Sequence, residues 1–302
     1  MFEEDRLYFV TNRTVQGRLL LTPSPRVNAL VGGVLGRALA RYAVELFAFV
    51  FASNHFHFIA RAAPGLLSDF VGYVEANIAR EIGRQIGWRG PFWERRFSAE
   101  PILDDDALVD RVRYLLSHGA KEGLVAGAED WPGLTCIPEL VHGITRVFPW
   151  YNRTQQWWAR ARGEPSDDAS FVQAYRVELA PLPCWATLSV QDRHKAAQQL
   201  VTTANEMAAE AREGRPVLGA DAVCAQDPFS MPRVVKRSPR PLCHVSTRQA
   251  LVAFRRAYRD FVAAYREASA TFRAGGRDVE FPEGAFRPRL PFGWPQPAAA
   301  VT

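Results

Sequence analysis

Apolar runs with two different periods alternate along the first 120 residues and predict a mixed fold. Short β-rich runs predict strands, and apolar positions spaced by three and four residues predict helices. The strands are expected at residues 7–15, 44–53, 54–61 and 91–103, and the helices at residues 26–43, 65–87 and 104–118. Ser24 and the acidic run 104–106 precede two of the helices, where such side chains cap free backbone N–H groups.

This order of strand, helix, strand, strand, helix, strand and helix predicts an α+β fold. The first six elements match a ferredoxin-like split β-α-β sandwich with an antiparallel sheet, and the seventh is an added helix that carries Tyr114. The second and third strands are nearly contiguous, so a hairpin is expected around Ser53 and Asn54. The added helix is expected to end at Gly119.

The sequence pattern changes after Trp131, where Trp and Pro become frequent and periodicity becomes weak. The later segments are a predicted helix at 191–213, a connector rich in Pro, Arg and Lys at 232–242, a basic helix at 246–272 and a Pro-rich tail. We therefore expect one domain at residues 1–135, followed by a mainly helical, basic accessory region at residues 136–302.

Charge is distributed unevenly along the 302 residues. The net charge is +5, but the chain from Arg233 onward carries +8 and the preceding residues carry −3. Such asymmetry favours a polyanionic partner such as a nucleic acid, and a solvated basic surface is the alternative.

Cysteine spacing and the N-terminal residues exclude several protein classes. The four cysteines form no C-x-x-C pair, which argues against a structural zinc site and a disulfide framework. The acidic N-terminus does not resemble a signal peptide, and no apolar run is long enough to span a membrane. A soluble, cytoplasmic protein without a membrane partner is expected.

Two histidines one residue apart are the strongest chemical signal. Side chains alternate along a strand, so His55 and His57 share one face while Phe56 and Phe58 share the other. Two imidazoles on one face can hold a metal ion, and a hydrogen-bonded pair of core histidines is the alternative.

The added helix supplies a second signal. Tyr114 and His118 are four residues apart and therefore lie on one helical face. If that face covers His55 and His57, three imidazoles and one phenol converge. A tyrosine at the edge of the core is the alternative interpretation of Tyr114.

A His-hydrophobic-His strand followed by a tyrosine on a later helix resembles the HUH endonuclease superfamily, and in particular its REP-associated tyrosine transposases. The blocks that carry the resemblance are F-V-T-N-R-T-V-Q-G-R (9–18), F-A-F-V-F-A-S-N-H-F-H-F (47–58), G-P-F-W-E-R-R-F (90–97) and R-Y-L-L-S-H-G-A-K-E-G-L-V (113–125). Relatives usually read Tyr-x-x-x-Asn-Pro where this chain has Tyr114, His118 and Gly119.

The resemblance implies metal-dependent cleavage and strand transfer of single-stranded or hairpin DNA. Tyr114 would be the catalytic nucleophile and would form a covalent 5′-phosphotyrosine intermediate. His55, His57 and His118 would bind the metal, with Mg²⁺ or Mn²⁺ expected from the family and Zn²⁺ also compatible with an imidazole set.

Several arginines are candidate contacts to the DNA backbone, and each has a solvated surface side chain as its alternative. The candidates are Arg13, Arg18, Arg89, Arg95, Arg96, Arg255 and Arg259. The last two belong to the basic helix, which is also amphipathic and could dock on the core.

Two rival functions fit the same residues. One is a domesticated DNA-binding protein that keeps the fold without nuclease activity, because His118 departs from the family pattern. The other is a metal-dependent hydrolase in which Tyr114 is structural. The protein could be a monomer or a homodimer, and the tyrosine could act in its own subunit or in a partner.

Overall fold

The computed structural model describes residues 6–63, 65–164, 167–232, 241–276, 278–286 and 288. The strands are β1 (Leu7–Arg13), β2 (Glu45–Ala52), β3 (His55–Arg61), β4 (Ser98–Ile102), β5 (Arg146–Tyr151) and β6 (Val172–Val177). The helices are α1 (Pro25–Arg41), α2 (Leu66–Ile86), α3 (Asp105–Leu116), α4 (His118–Lys121), α5 (Ile137–His142), α6 (Arg153–Ala161), α7 (Val190–Arg212), α8 (Ala220–Cys224) and α9 (Arg248–Arg273).

The first four strands form one antiparallel sheet in the order β2-β3-β1-β4, which confirms the predicted α+β class. β2 and β3 form the expected hairpin around Ser53 and Asn54. Helices α1 and α2 cover one face of the sheet, where Phe58 contacts Phe70 of α2 with ring centroids 6.3 Å apart. Helix α3 covers the other face, so both faces of the central strands are buried.

The predicted caps are confirmed at two helices. Ser24 Oγ accepts a hydrogen bond of 3.1 Å from the backbone N–H of Val27 at the start of α1. Asp104 Oδ1 accepts one of 2.8 Å from Ala107 at the start of α3. Both side chains satisfy an N–H group that has no partner within its helix.

Two predicted boundaries were wrong. The fourth strand begins at Ser98 rather than at residue 91, because residues 91–97 form a loop that crosses the end of β1 through a bridge between Thr14 and Trp93. The helix that carries Tyr114 ends at Leu116 rather than near Gly119. A short helix, α4, follows it and contains Gly119.

A β-hairpin between residues 146 and 177 was not predicted. β5 and β6 pair along their full length and lie on helix α1. Close approach requires glycines on α1, because a Cβ at Gly33 would lie 2.1 Å from the carbonyl oxygen of Pro149. A Cβ at Gly32 would meet the ring of Phe148 at 2.5 Å.

The chain from Leu134 onward also covers both edges of the four-stranded sheet. At the β2 edge, Phe51 donates to the carbonyl of Leu134, and Cys136 donates to the carbonyl of Phe49. At the β4 edge, His244 donates to the carbonyl of Pro101 and accepts from Leu103. Covered edges are protected from pairing with other chains.

Helix α7 packs against α3, α4 and α5, and α9 is the predicted basic helix. Most of the connector at 232–242 lies outside the described residues, as does most of the Pro-rich tail. No helix among the described residues is long and apolar enough to cross a membrane.

Candidate functional site

Three imidazoles converge between the sheet and the helical segment that follows Tyr114. The ring centroids are 4.9 Å apart for His55 and His57, 4.4 Å for His55 and His118, and 5.0 Å for His57 and His118. One ring nitrogen from each lies within 4.8 Å of the other two. Two of the imidazoles come from β3 and the third comes from α4, so the structure brings the three candidate ligands together.

Burial leaves several of these nitrogens without a hydrogen bond. His57 and His118 are each 6% exposed. Both ring nitrogens of His57 and Nδ1 of His118 have no hydrogen-bond partner among the described residues. An unsatisfied buried polar atom costs free energy, on the order of 1–3 kcal/mol. Convergent orphaned nitrogens therefore fit a metal ion, and they do not fit the alternative of a hydrogen-bonded core pair.

The protonation states also fit metal binding. Burial lowers the pKa of His55 to about 4, although the Glu122 carboxylate partly opposes the shift. Burial lowers the pKa of His57 and His118 well below the usual range, and neighbouring imidazoles add to the effect. All three rings are neutral at pH 7, and a neutral ring has the lone pair that a metal requires.

Asn54 fixes the orientation of His55. The Asn54 amide nitrogen donates a 3.0 Å hydrogen bond to the carbonyl of Gly17, which turns the amide oxygen towards His55. That oxygen lies 2.6 Å from His55 Nδ1 and accepts its proton. The tautomer left to His55 has its lone pair on Nε2, as expected when an outer partner orients a metal ligand.

Tyr114 lies at the edge of this cluster. Its ring centroid is 5.7 Å from that of His57 and 6.0 Å from that of His118. Phe9 of β1 stacks on His57 at 4.9 Å and meets Tyr114 edge-on at 6.0 Å. Tyr114 is partly exposed, as is His55, whereas His57 and His118 are buried.

Helix α4 is held in place by close contacts on its outer side. A Cβ at Gly119 would lie 2.7 Å from the ring of Trp131, so glycine is required at this position. The indole N–H of Trp131 donates a 3.0 Å hydrogen bond to the carbonyl of Phe51. Helix α7 packs across both α3 and α4. The accessory region therefore supports the segment that carries His118.

The candidate arginines near the sheet differ in their surroundings. Arg13 pairs with His55 across the sheet, which places it on the histidine face, and forms an ion pair of 2.7 Å with Glu94. Arg18 donates a hydrogen bond to the carbonyl of Phe229, and its guanidinium lies 5.4 Å from the ring centroid of Trp88. It therefore links the first domain to the accessory region. The other three, Arg89, Arg95 and Arg96, are exposed on the loop before β4.

The aromatic side chains of that loop point inward. Phe92 is buried, and Trp93 contacts Phe56 at 5.3 Å and donates its indole N–H to the carbonyl of Glu75. The arginines of the loop are thus exposed and can contact solvent or DNA, whereas these two rings pack on the protein.

Arg255 and Arg259 are exposed on α9, whose Phe254 is buried and lies beneath Arg6 at 5.8 Å. The expected amphipathic helix is present. Its outer surface is basic, and part of its apolar side is buried against the protein.

Sequence reasoning did not identify three residues of the site. Asn54 was expected only as a turn residue, Phe9 only as part of a strand, and Lys121 was not assigned a role. Asn54 and Lys121 are polar residues within three positions of a candidate histidine ligand, and Lys121 also follows Tyr114 by seven positions, two turns of a helix. These two signals could have drawn attention to them.

Six chains of solved structures are similar to part of this chain, and two of them are transposases. A REP-associated tyrosine transposase bound to a REP hairpin matches with a TM-score of 0.41 and 17% identity, over 47% of this chain and 82% of that protein. A candidate transposase from Deinococcus radiodurans R1 matches with a TM-score of 0.29 and 15% identity, over 37% of this chain and 90% of that protein. No protein-family model matches the chain, and neither does any curated protein sequence.

Proposed function

We propose that this protein is a metal-dependent, single-tyrosine DNA endonuclease and transposase that acts on single-stranded or hairpin DNA. The observation that carries the proposal is the cluster of three neutral imidazoles beside the partly exposed Tyr114, in which the buried His57 and His118 have nitrogens without a hydrogen-bond partner. His55, His57 and His118 would hold the metal. A bound divalent cation supplies a Lewis acid that polarises a non-bridging oxygen of the scissile phosphate.

The donor set bears on the identity of the metal. All three candidate ligands are imidazoles. Mg²⁺ prefers oxygen ligands and retains its waters, whereas imidazole suits transition metals. Of the ions expected from the sequence, we therefore favour Mn²⁺ or Zn²⁺ over Mg²⁺.

The chemistry of the chain's own residues is a transesterification. The Tyr114 hydroxyl oxygen attacks phosphorus, the new bond joins that oxygen to phosphorus, and the bond between phosphorus and the 3′ oxygen breaks. The phenol proton leaves to solvent, and the departing 3′ oxygen takes up a proton to become a hydroxyl group. The downstream strand stays on the protein through its 5′ phosphate, and reversal onto another 3′ end completes strand transfer.

The exposed arginines suit a polyanionic substrate. Arg89, Arg95 and Arg96 lie on one loop, and Arg255 and Arg259 lie on α9. These cations can contact phosphates of single-stranded DNA, and such contacts weaken as salt rises. Arg13 is the candidate nearest to the imidazoles, although its ion pair with Glu94 must open or be shared for it to bind DNA.

A covalent-adduct assay tests the proposal. Hairpin DNA with a single-stranded flank is labelled at its 3′ end and incubated with Mn²⁺ and the protein, then resolved on a denaturing gel. We expect the 3′ label to migrate with the protein and a 5′ label to be released. Tyr114→Phe should abolish the adduct, and Tyr73→Phe on helix α2 serves as the matched control.

The remaining outcomes separate the rival functions. DNA binding without cleavage under any metal would support a domesticated binding protein. Cleavage that survives Tyr114→Phe would support a hydrolase in which the tyrosine is structural.

A further inference from the structure

Helix α4 carries a cation as well as a metal ligand. His118 begins this four-residue helix and points into the imidazole cluster, and Lys121 ends it. The two side chains are three positions apart and share one side of the helix. Ser117 separates α3 from α4 but keeps right-handed helical backbone angles (φ −71°, ψ −5°), so Lys121, seven positions after Tyr114, stays on the side of the chain that carries Tyr114 and His118.

Lys121 reaches Tyr114 in this way. Its ammonium nitrogen lies 3.8 Å from the centroid of the Tyr114 ring. A second cation, the Arg111 guanidinium, lies 4.9 Å from the same centroid. A tyrosine ring attracts nearby cations through its electron-rich face. Two cations at a single ring also create a positive potential at the point where the phenol oxygen becomes negative during attack.

Lys121 is close to the imidazole cluster as well. Its charge contributes to the lowered pKa of each of the three histidines. A phosphate placed for attack by Tyr114 must lie between the phenol and the imidazoles. Lys121 is therefore adjacent to the attacking group and to the position of the phosphate.

The structural alternative for Lys121 is an ordinary surface ion pair. Its partner Glu122 is 3.9 Å away, and the two side chains are 36% and 35% exposed. An ion pair of this length and exposure contributes little to stability, about 0–1 kcal/mol. The cation–π contact with Tyr114 also contributes a small amount at an exposed site, about 0.5–1 kcal/mol, so neither contact makes Lys121 important for folding.

We propose that Lys121 stabilises the negative charge that develops on the Tyr114 oxygen and on the phosphate during DNA cleavage. This inference rests on the proposed function and adds a specific residue to it. Lys121 remains an ammonium throughout and exchanges no proton, so the bond changes are those of the transesterification described above. Its contribution is electrostatic and is realised mainly in the transition state.

The test compares two substitutions of Lys121 with a control. Lys121→Met removes the charge at similar length, Lys121→Arg keeps a charge, and Lys195→Met alters an exposed lysine on α7 that pairs with Asp192. Three quantities are measured on the full chain with Mn²⁺ and hairpin DNA. They are the single-turnover rate of adduct formation, the DNA affinity, and the affinity for Mn²⁺ alone by calorimetry.

We expect Lys121→Met to slow adduct formation by about ten- to hundredfold, less than for a buried donor because the ammonium is partly screened. Its DNA affinity should stay near that of the wild type. Its Mn²⁺ affinity should be equal or higher, because a cation near the metal has been removed. Lys121→Arg should recover most of the rate, and Lys195→Met should behave as the wild type.

Two results would overturn the inference while leaving the proposed function intact. One is an unchanged adduct rate in Lys121→Met. The other is a parallel loss of adduct rate, DNA affinity and Mn²⁺ affinity, which indicates a structural role. Absence of an adduct in the wild-type protein would instead refute the proposed function, and this inference with it.

Discussion

The two faces of strand β3 bury side chains of opposite character. On one face, Phe56 and Phe58 are fully buried and stack at 4.5 Å. On the other face, His55 and His57 meet His118, and three buried nitrogens of this cluster lack a partner. One face gains free energy from apolar burial, whereas the other leaves polar atoms unsatisfied without a ligand.

This difference explains how the fold can accommodate a site whose unsatisfied polar atoms lower its stability. The phenylalanine face is continuous with the core formed by α1, α2 and the sheet. The stability gained there offsets the free-energy cost of imidazole nitrogens that have no hydrogen-bond partner on the histidine face. We therefore expect substitutions on the two faces to change different properties, and four predictions follow this contrast from the largest effect to the smallest.

Phe58→Ala should reduce the free energy of unfolding by about 3–5 kcal/mol, because it removes a fully buried ring and leaves a cavity. Urea unfolding measures the loss. Val172→Ala, at an exposed position of β6, is the control and should change stability little. A loss comparable to the control would show that the phenylalanine face does not stabilise the fold as described.

His57→Ala should weaken Mn²⁺ binding by more than about 100-fold, since even a change in an outer-shell partner costs about 10–100-fold. Calorimetric titration of the protein without DNA measures the affinity. His142→Ala alters an exposed histidine at the end of α5 and should leave binding unchanged. Equal affinity in both variants would remove the histidine face from consideration as a metal site.

The pH dependence of stability should differ in sign between the two faces. An imidazole with a lowered pKa binds a proton in the unfolded chain below about pH 6.5 but not in the folded protein. Unfolding of the metal-free protein then takes up protons, so the free energy of unfolding falls as pH falls towards about 4. Each imidazole contributes up to about 1.4 kcal/mol per pH unit.

Glu75, on α2 beneath the opposite face, acts in the other direction. Burial raises its pKa to about 7, although a hydrogen bond from Asn12 partly opposes the shift. The folded protein holds this proton where the unfolded chain has lost it, so stability falls as pH rises towards 7. Urea unfolding of metal-free samples across this range measures the free energy of unfolding. Compared with the wild type, that free energy should rise more steeply with pH in Glu75→Gln and less steeply in His57→Leu. Identical slopes in all three proteins would contradict both assignments.

His57→Leu should make the metal-free protein more stable at pH 7 by about 1–2 kcal/mol, because it replaces two unsatisfied nitrogens by apolar atoms. Thermal unfolding in the presence of a chelator measures the gain, and His142→Leu is the control. A clear loss of stability would indicate that His57 has a structural hydrogen-bonding role.

The periodicity of the sequence was sufficient to predict the sheet and the convergence of the histidines. Alternation places His55 and His57 on one face whatever the details of packing. The approach of His118 was predicted from helical spacing to Tyr114, yet the helix breaks between them at Ser117. Both side chains still reach the cluster, because Ser117 itself keeps right-handed helical backbone angles.

Features that depend on tertiary contacts were not predicted. The carbonyl that orients Asn54 belongs to Gly17, which is distant in sequence. The β5–β6 hairpin contains Pro149, which weakens a strand signal. Its docking depends on Gly32 and Gly33 of α1, and such contacts have no local pattern.

The most direct test of the central claim is to map the attachment site of the DNA. The adduct formed with Mn²⁺ and hairpin DNA is digested with nuclease and protease, and the nucleotide-bearing peptide is sequenced by mass spectrometry. The account predicts a single nucleotide-modified residue, Tyr114, linked through a 5′ phosphate, and no modified peptide when His57 is replaced by alanine. Attachment at any other residue, or an adduct that forms equally well without His57, would contradict it.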